Sequence, residues 1–242
     1  MTGMTYTEYQ RVSGDDRELS ASQKTVAERI KETFVTEKNE EWVHPGRVDI
    51  PGYLVDAELL KTYPQLAYFL YDRDLDIEFC ERAEARFAGP VGKWANRLIL
   101  PIWDDRGIIV TFQARDVIGD AKMKYLNPSG RPMGDWLYWA DWKMGGDPLY
   151  LVEGIFDVWR MDRYAVCSFG KKLTKRQRTL LIRENPKELI IAWDADAYNV
   201  ALETGRELAN VLTKVGIARL PEGQDPDSLG REKVEELEVV WL

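Results

Sequence analysis

Short apolar runs that end in carboxylates constrain this chain more than any other feature. Leu149-Tyr150-Leu151-Val152 leads into Glu153-Gly154, and Leu189-Ile190-Ile191-Ala192-Trp193 leads into Asp194-Ala195-Asp196. Ile217-Ala218-Arg219-Leu220 leads into a turn carrying Asp225-Pro226-Asp227. Short apolar runs separated by helical-length segments read as parallel strands, and ligands of such sheets bind beyond the carboxyl ends of the strands. Three acidic groups at one sheet edge repel each other unless cations neutralise them. Hard cations with oxygen ligands, Mg²⁺ or Mn²⁺, meet that need. If Asp194 and Asp196 keep extended geometry, their side chains point to one face. Glu153, at the end of a different strand, then supplies a third ligand. A two-cation site of this kind serves phosphoryl or nucleotidyl transfer. The competing reading of any one acid is a helix N-cap; the ordered series on consecutive strand ends is what favours the metal.

Composition excludes several other chemistries. With one histidine (His44) and two cysteines (Cys80 and Cys167), the 242 residues cannot assemble a zinc ribbon, which needs four such ligands. His44 precedes Pro45-Gly46 and reads as a surface residue without a catalytic partner, and the cysteines read as buried thiols. No apolar run approaches a membrane span and no basic-then-apolar leader is present, so the expectation is a cytoplasmic protein that does not contact membrane. The net charge of −8 argues against DNA binding by the whole surface, but charge is segregated. Between Val91 and Met133, seven basic residues face four acidic ones, and six cations from Lys171 to Arg183 have no acid between them. The second group reads either as a contact for nucleic acid or, slightly preferred, as the solvated face of a helix.

Residues 1–20 are polar and read as a mobile extension, followed by an amphipathic helix over 22–36 and an irregular stretch over 43–53. Helical patterns follow at 56–63, 64–71 and 76–87, with Asp76 as N-cap. Residues 98–102 and 108–112 flank Asp104-Asp105-Arg106-Gly107, a hairpin signal, in a basic antiparallel module ending near Ala140. Beyond it the pattern predicts strands at 149–152, 165–168, 188–193 and 217–220, with helices at 155–163, 174–184 and 197–215. Trp136, Trp139 and Trp142 have the spacing of one packed helix face, and the alternative for them is base stacking.

The order EGIFD (153–157), WDADA (193–197) and LPEGQDPD (220–227) resembles the Toprim domain as it occurs in DnaG-type bacterial primases. Upstream, RLILPIWDDRGIIVTFQARD (97–116) resembles the strand–turn–strand block of the primase core, and KYLNPSG (124–130) its lysine-tyrosine-x-asparagine segment. AYFLYDRDLDIEFCERAEARF (67–87) is similar to the helical lead-in of that core. The resemblance implies an α+β fold: a basic mixed α/β amino-terminal subdomain (56–145) followed by a Toprim α/β domain (146–242) with a mostly parallel sheet covered by helices, after an extension over 1–55. It implies synthesis of short RNA primers on a single-stranded DNA template from ribonucleoside triphosphates. Glu153, Asp194 and Asp196 would be catalytic and hold Mg²⁺ (or Mn²⁺), with Asp157 close by and Asp225 and Asp227 extending the acidic edge. Arg97, Arg115, Lys122, Lys124 and Asn127 would line the groove for template and nucleotide. A replicative helicase or a separate zinc-ribbon protein would be the protein partners.

The chain departs from the family pattern at two points. Ala197-Tyr198-Asn199 replaces the usual arginine-alanine-glycine turn, and Met133-Gly134-Asp135-Trp136 stands where a lysine is common, with Arg131 the nearest substitute. A core without zinc ribbon or carboxyl-terminal module resembles phage primases. The alternatives are a Toprim nuclease or topoisomerase-like enzyme, and a non-catalytic nucleic-acid-binding replication module.

Overall fold

The computed structural model describes residues 43–139 and 148–242. Residues 1–42 of the expected extension, with the helix at 22–36, and Trp142 lie outside these residues. Five strands form a first sheet in chain order: β1 (Tyr53–Leu54), β2 (Arg86–Phe87), β3 (Arg97–Trp103), β4 (Ile109–Asp116) and β5 (Tyr125–Leu126), antiparallel throughout. The β3–β4 turn closes on Asp104, whose Oδ1 accepts from Arg106 N–H at 2.9 Å and Ile108 N–H at 2.8 Å. Such an Asx turn is why aspartate opens so many hairpin loops. Pro101 is tolerated inside β3 because β2 pairs only with Leu98 and Ile99, leaving Pro101 with a single neighbouring strand.

Helices α1 (Ala57–Thr62), α2 (Pro64–Asp72) and α3 (Ile77–Arg82) precede this hairpin. Asp56 and Asp76 cap α1 and α3, accepting from Leu59 N–H at 2.7 Å and Phe79 N–H at 3.3 Å. The helix predicted to run to residue 87 stops at Arg82. Glu84 adopts φ 46° and Ala85 N–H returns to Cys80 O at 2.8 Å, which turns the chain into β2.

The second sheet contains β6 (Tyr138–Trp139), β7 (Leu149–Val152), β8 (Ala165–Cys167), β9 (Leu189–Ile191), β10 (Val215–Ala218) and β11 (Val239–Trp241), in the order β11-β10-β9-β7-β8-β6. The middle four strands are parallel, and β6 and β11 are antiparallel edges. Helices α4 (Ile155–Met161), α5 (Lys175–Glu184) and α6 (Tyr198–Ala209) alternate with the parallel strands, followed by α7 (Pro226–Leu229) and α8 (Arg231–Glu235). This is the mixed α/β class expected, with a mostly parallel sheet. The helix predicted over 197–215 ends at Ala209: buried Val211 and Leu212 belong to the turn after it, and Val215 opens β10. An apolar stripe says which residues are inward but not which element carries them. Trp136 and Trp139 form no helix face, since Trp139 lies in β6 and buried Trp136 just before it.

One buried cluster joins both sheets, with Leu98, Leu100, Ile102 and Val110 from the first and Tyr138, Tyr150, Val152 and Ile190 from the second. Trp159 on α4 sits at its centre, only 2% exposed. Its Nε1–H donates to Tyr138 Oη at 2.6 Å, and its ring packs on Phe79 at 6.0 Å and edge-on to Phe156 at 5.5 Å. Residues His44–Leu242 cluster as one unit. His44 is not the surface residue expected: Nδ1 accepts from Gly46 N–H at 3.0 Å, so Nε2 carries the proton donated to Asp104 Oδ2 at 2.9 Å. Cys80 and Cys167 are free, buried thiols. Among the described residues, no helix is long and apolar enough to cross a membrane.

Candidate active site

Glu153 follows β7, Asp194 follows β9 and Asp225 follows β10, three adjacent parallel strands. From β8 the chain crosses over β7 to reach β9, so the crevice where an open α/β sheet binds ligands lies at the carboxyl ends of β7 and β9. Asp194 and Asp196 do not share an extended face. Residues Ala195–Ala197 form a 3₁₀ turn, with Ala197 N–H bonded to Asp194 O at 2.8 Å. β9 has already ended at Ile191, so no ladder holds these residues extended, and small Ala195 and Ala197 admit the turn. A cleft of about 460 Å³ results, lined by Asp194, Asp196, Glu222, Gln224 and Asp225 among others.

Burial raises the Glu153 pKa, and the negative charges of Asp194, Asp196 and Asp225 raise it further against the opposing pull of Lys171. Asp194 is raised in the same way, first by burial and then by Asp225 and Asp196. Lys171 Nζ lies 2.5 and 2.6 Å from the two Asp196 oxygens and 3.9 Å from Glu153 Oε2. Its own pKa rises, chiefly through the bond to Asp196. Glu153 Oε2 is buried without a hydrogen-bond partner. An orphaned carboxylate oxygen among mutually repelling carboxylates is the donor set a hard cation takes. As they stand, no three acidic, histidine or cysteine side chains converge into a cage for a metal among the described residues.

The remaining acids are differently engaged. Asp157, 6% exposed, accepts from Gly154 N–H at 2.8 Å and Asp227 N–H at 3.0 Å, one bond to each oxygen. Asp227 accepts from Arg73 Nη1 at 2.7 Å and Arg160 Nη2 at 3.4 Å. Asp225 caps α7 through Ser228 N–H at 2.8 Å. Asp157 and the Arg73–Asp227–Arg160 cluster therefore bracket the 225–227 turn against α4, which places Asp225 on the cleft. Arg73 and Arg160 carried no signal in the sequence, because their partners are distant along the chain.

Burial pushes the Asp157 carboxyl up to about 7 from 3.8, against the two backbone N–H bonds. Between those values the folded state holds a proton the unfolded chain has lost, so stability falls as pH rises through that window and levels off above 7. Asp157→Asn is expected to remove this slope, which for one proton is at most about 1.4 kcal/mol per pH unit. Between pH 5 and 8 the urea midpoint of wild type should fall relative to that of the variant as pH rises; a constant difference contradicts the assignment.

The fold matches the catalytic core of DnaG. That structure superposes with a TM-score of 0.64 at 23% identity, covering 75% of this chain and 76% of that one. A DnaG primase catalytic domain bound to single-stranded DNA matches with a TM-score of 0.63 at 20% identity, covering 91% and 81%. In sequence, the DNA primase of Clostridium acetobutylicum is 34% identical over 158 residues, 60% of this chain and 26% of that protein. The chain is similar in sequence to DnaG-type DNA primases and shares the fold of the DnaG catalytic core. The Geobacillus stearothermophilus DNA primase is 32% identical over 153 residues, 57% of this chain and 25% of that protein. The chain thus spans about a quarter of the length of these curated relatives. No protein-family model matches it.

The residues expected to line the groove are engaged in different ways. Arg97, 5% exposed, donates to Met123 O at 2.7 Å, Ala114 O at 3.1 Å and Lys124 O at 3.3 Å, which fixes the 123–124 backbone. Arg131 does not replace the missing lysine, because its guanidinium bonds the carbonyls of Pro45, Gly46, Arg47 and Val110. Lys122, Lys124 and Asn127 are exposed. Arg115 is different: buried, its Nε and Nη1 have no hydrogen-bond partner, and its guanidinium lies 5.0 Å from the Tyr125 ring and 5.5 Å from Phe69. Among the α5 cations, Arg178 pairs with Glu207, and Arg183 with Asp105 at 2.8 Å, as a solvated helix face does.

Proposed function

We propose that this chain is the catalytic core of a DNA primase, making short RNA primers on single-stranded DNA from ribonucleoside triphosphates. The observation that carries this reading is the acidic edge of Glu153, Asp194 and Asp196 at the crossover point of a DnaG-type core. Glu153, Asp194 and Asp196, with Asp225 beside them, would hold Mg²⁺ or Mn²⁺, which when bound supplies activation of the attacking hydroxyl and neutralisation of the leaving pyrophosphate. No side chain acts as nucleophile. The protein's part is to hold carboxylates, template and triphosphate in fixed relation, which is where phosphoryl-transfer enzymes obtain most of their acceleration. A replicative helicase or a separate zinc-ribbon protein is the proposed partner for template recognition.

Arg115 is the proposed phosphate seat. Stacked between Tyr125 and Phe69 and with unpartnered donors, its guanidinium is preorganised for an anion. Arg115→Ala is expected to weaken single-stranded DNA binding and reduce the slope of log affinity against log salt by about 0.7, one phosphate contact. Arg115→Lys should not restore it; an unchanged slope in Arg115→Ala contradicts the role.

The function is tested by incubating the protein with single-stranded DNA and Mg²⁺ or Mn²⁺, with and without labelled ribonucleotides, alone and with a helicase or zinc-ribbon partner. Ribonuclease-sensitive products that need nucleotides, over an intact template, support primase. Template cleavage without nucleotides would instead establish a nuclease.

A further inference from the structure

The turn after β8 is built to deliver a cation to the acidic edge. Ser168 N–H donates to Val152 O and Gly170 N–H to Glu153 O, both at 3.2 Å, while Ser168 Oγ–H reaches Gly170 O at 2.7 Å. Residues 168–170 are thereby stitched to the strand end that carries Glu153. Phe169 has φ 59°, a left-handed conformation that an aromatic residue rarely adopts, and Gly170 follows at φ 143°. The next residue out of this kink is Lys171, whose Nζ lies against both Asp196 oxygens at 2.5 and 2.6 Å and 3.9 Å from Glu153 Oε2. The backbone of the turn is tied to one carboxylate's strand while the side chain bonds another's.

We propose that Lys171 is a resident counter-ion of the acidic edge, which a divalent cation must displace. The proposal rests on the reading of that edge as the cation site. Without a divalent ion, the ammonium neutralises Asp196 and lowers the repulsion felt by Glu153 and Asp194. A divalent ion that takes those oxygens breaks a doubly bonded, charge-assisted pair and meets a positive charge at close range. Lys171 therefore sets a threshold: it steadies the edge when no divalent ion is bound and weakens binding below what the carboxylates alone would give.

The test is direct Mn²⁺ binding to the whole chain at low ionic strength, read from the electron paramagnetic resonance of free Mn²⁺. Lys171→Met, which keeps the length and removes the charge, should bind about three- to tenfold more tightly than wild type, the range a partly exposed ion pair allows. Lys171→Arg should bind like wild type. Lys172→Met, which removes an exposed charge one residue away, should change affinity less than twofold. Metal-free Lys171→Met should melt below wild type, and Mn²⁺ should raise its melting temperature by more. Unchanged or weaker binding by Lys171→Met, with wild-type binding that Asp194→Ala abolishes, overturns the proposal and leaves the cation site standing. Equal tightening by Lys172→Met also overturns it, because general charge then explains the effect. If neither wild type nor Lys171→Met binds Mn²⁺, the reading of the edge as a cation site fails first.

Discussion

Asp194→Ala is expected to lower primer synthesis by on the order of 10²–10³-fold while leaving the fold intact, in line with the removal of one preorganised electrostatic group from a reaction centre. Asp194 is half-buried at the end of β9, faces the cleft, and feels the charges of Asp225 and Asp196. Loss of its carboxylate removes donor oxygens from the place where negative charge accumulates in nucleotidyl transfer. Glu153→Gln should behave similarly, because the buried, unpartnered Oε2 is replaced by a neutral amide oxygen or nitrogen. Neither variant should melt below wild type in the absence of divalent ions. Each removes one member of a set of carboxylates that repel each other, so metal-free stability should stay level or rise. Near-normal synthesis by a folded Asp194→Ala protein contradicts the assignment.

Trp159→Ala is expected to cost about 3–5 kcal/mol of folding stability, the range for removal of a large buried aromatic side chain. Trp159 ties α4 to β6 through Tyr138, and α4 to α3 through Phe79, so it joins the helical lead-in to the second sheet. Its loss also leaves Tyr138 Oη, in a fully buried side chain, without its donor. Urea denaturation should show a lower midpoint with an unchanged slope. A loss below about 1 kcal/mol contradicts the central packing role, since only surface sites are tolerated that cheaply.

The parts of the fold that were legible in the sequence rest on local signals. The strands at 149–152 and 189–191 are uninterrupted apolar runs, and the carboxylates that follow them are adjacent in sequence, so the acidic edge could be read directly. The β3–β4 turn and the cap at Asp76 are likewise short-range. Elsewhere the sequence was silent because the deciding contact is distant. Arg73 meets Asp227 across 154 residues, and no local pattern announces that pair. Arg97 and Arg131 look like the other basic residues of their motifs, and only the fold reveals that carbonyl oxygens have already taken their donors. Lys171 stands first in a run of six cations, yet it turns toward Asp196, because Phe169 and Gly170 redirect the chain before α5 begins. The extended geometry expected for Asp194 and Asp196 failed for a related reason: the ladder that would enforce it stops at Ile191.

The most direct measurement is formation of the first phosphodiester bond: templated ribodinucleotide synthesis on single-stranded DNA, by wild type and by Asp194→Ala of equal melting temperature, with any helicase or zinc-ribbon partner supplied to both. Wild type should form a dinucleotide whose sequence follows the template, and the variant none above background. Dinucleotide formed equally by both proteins, or independent of the template's sequence, would contradict the proposed function.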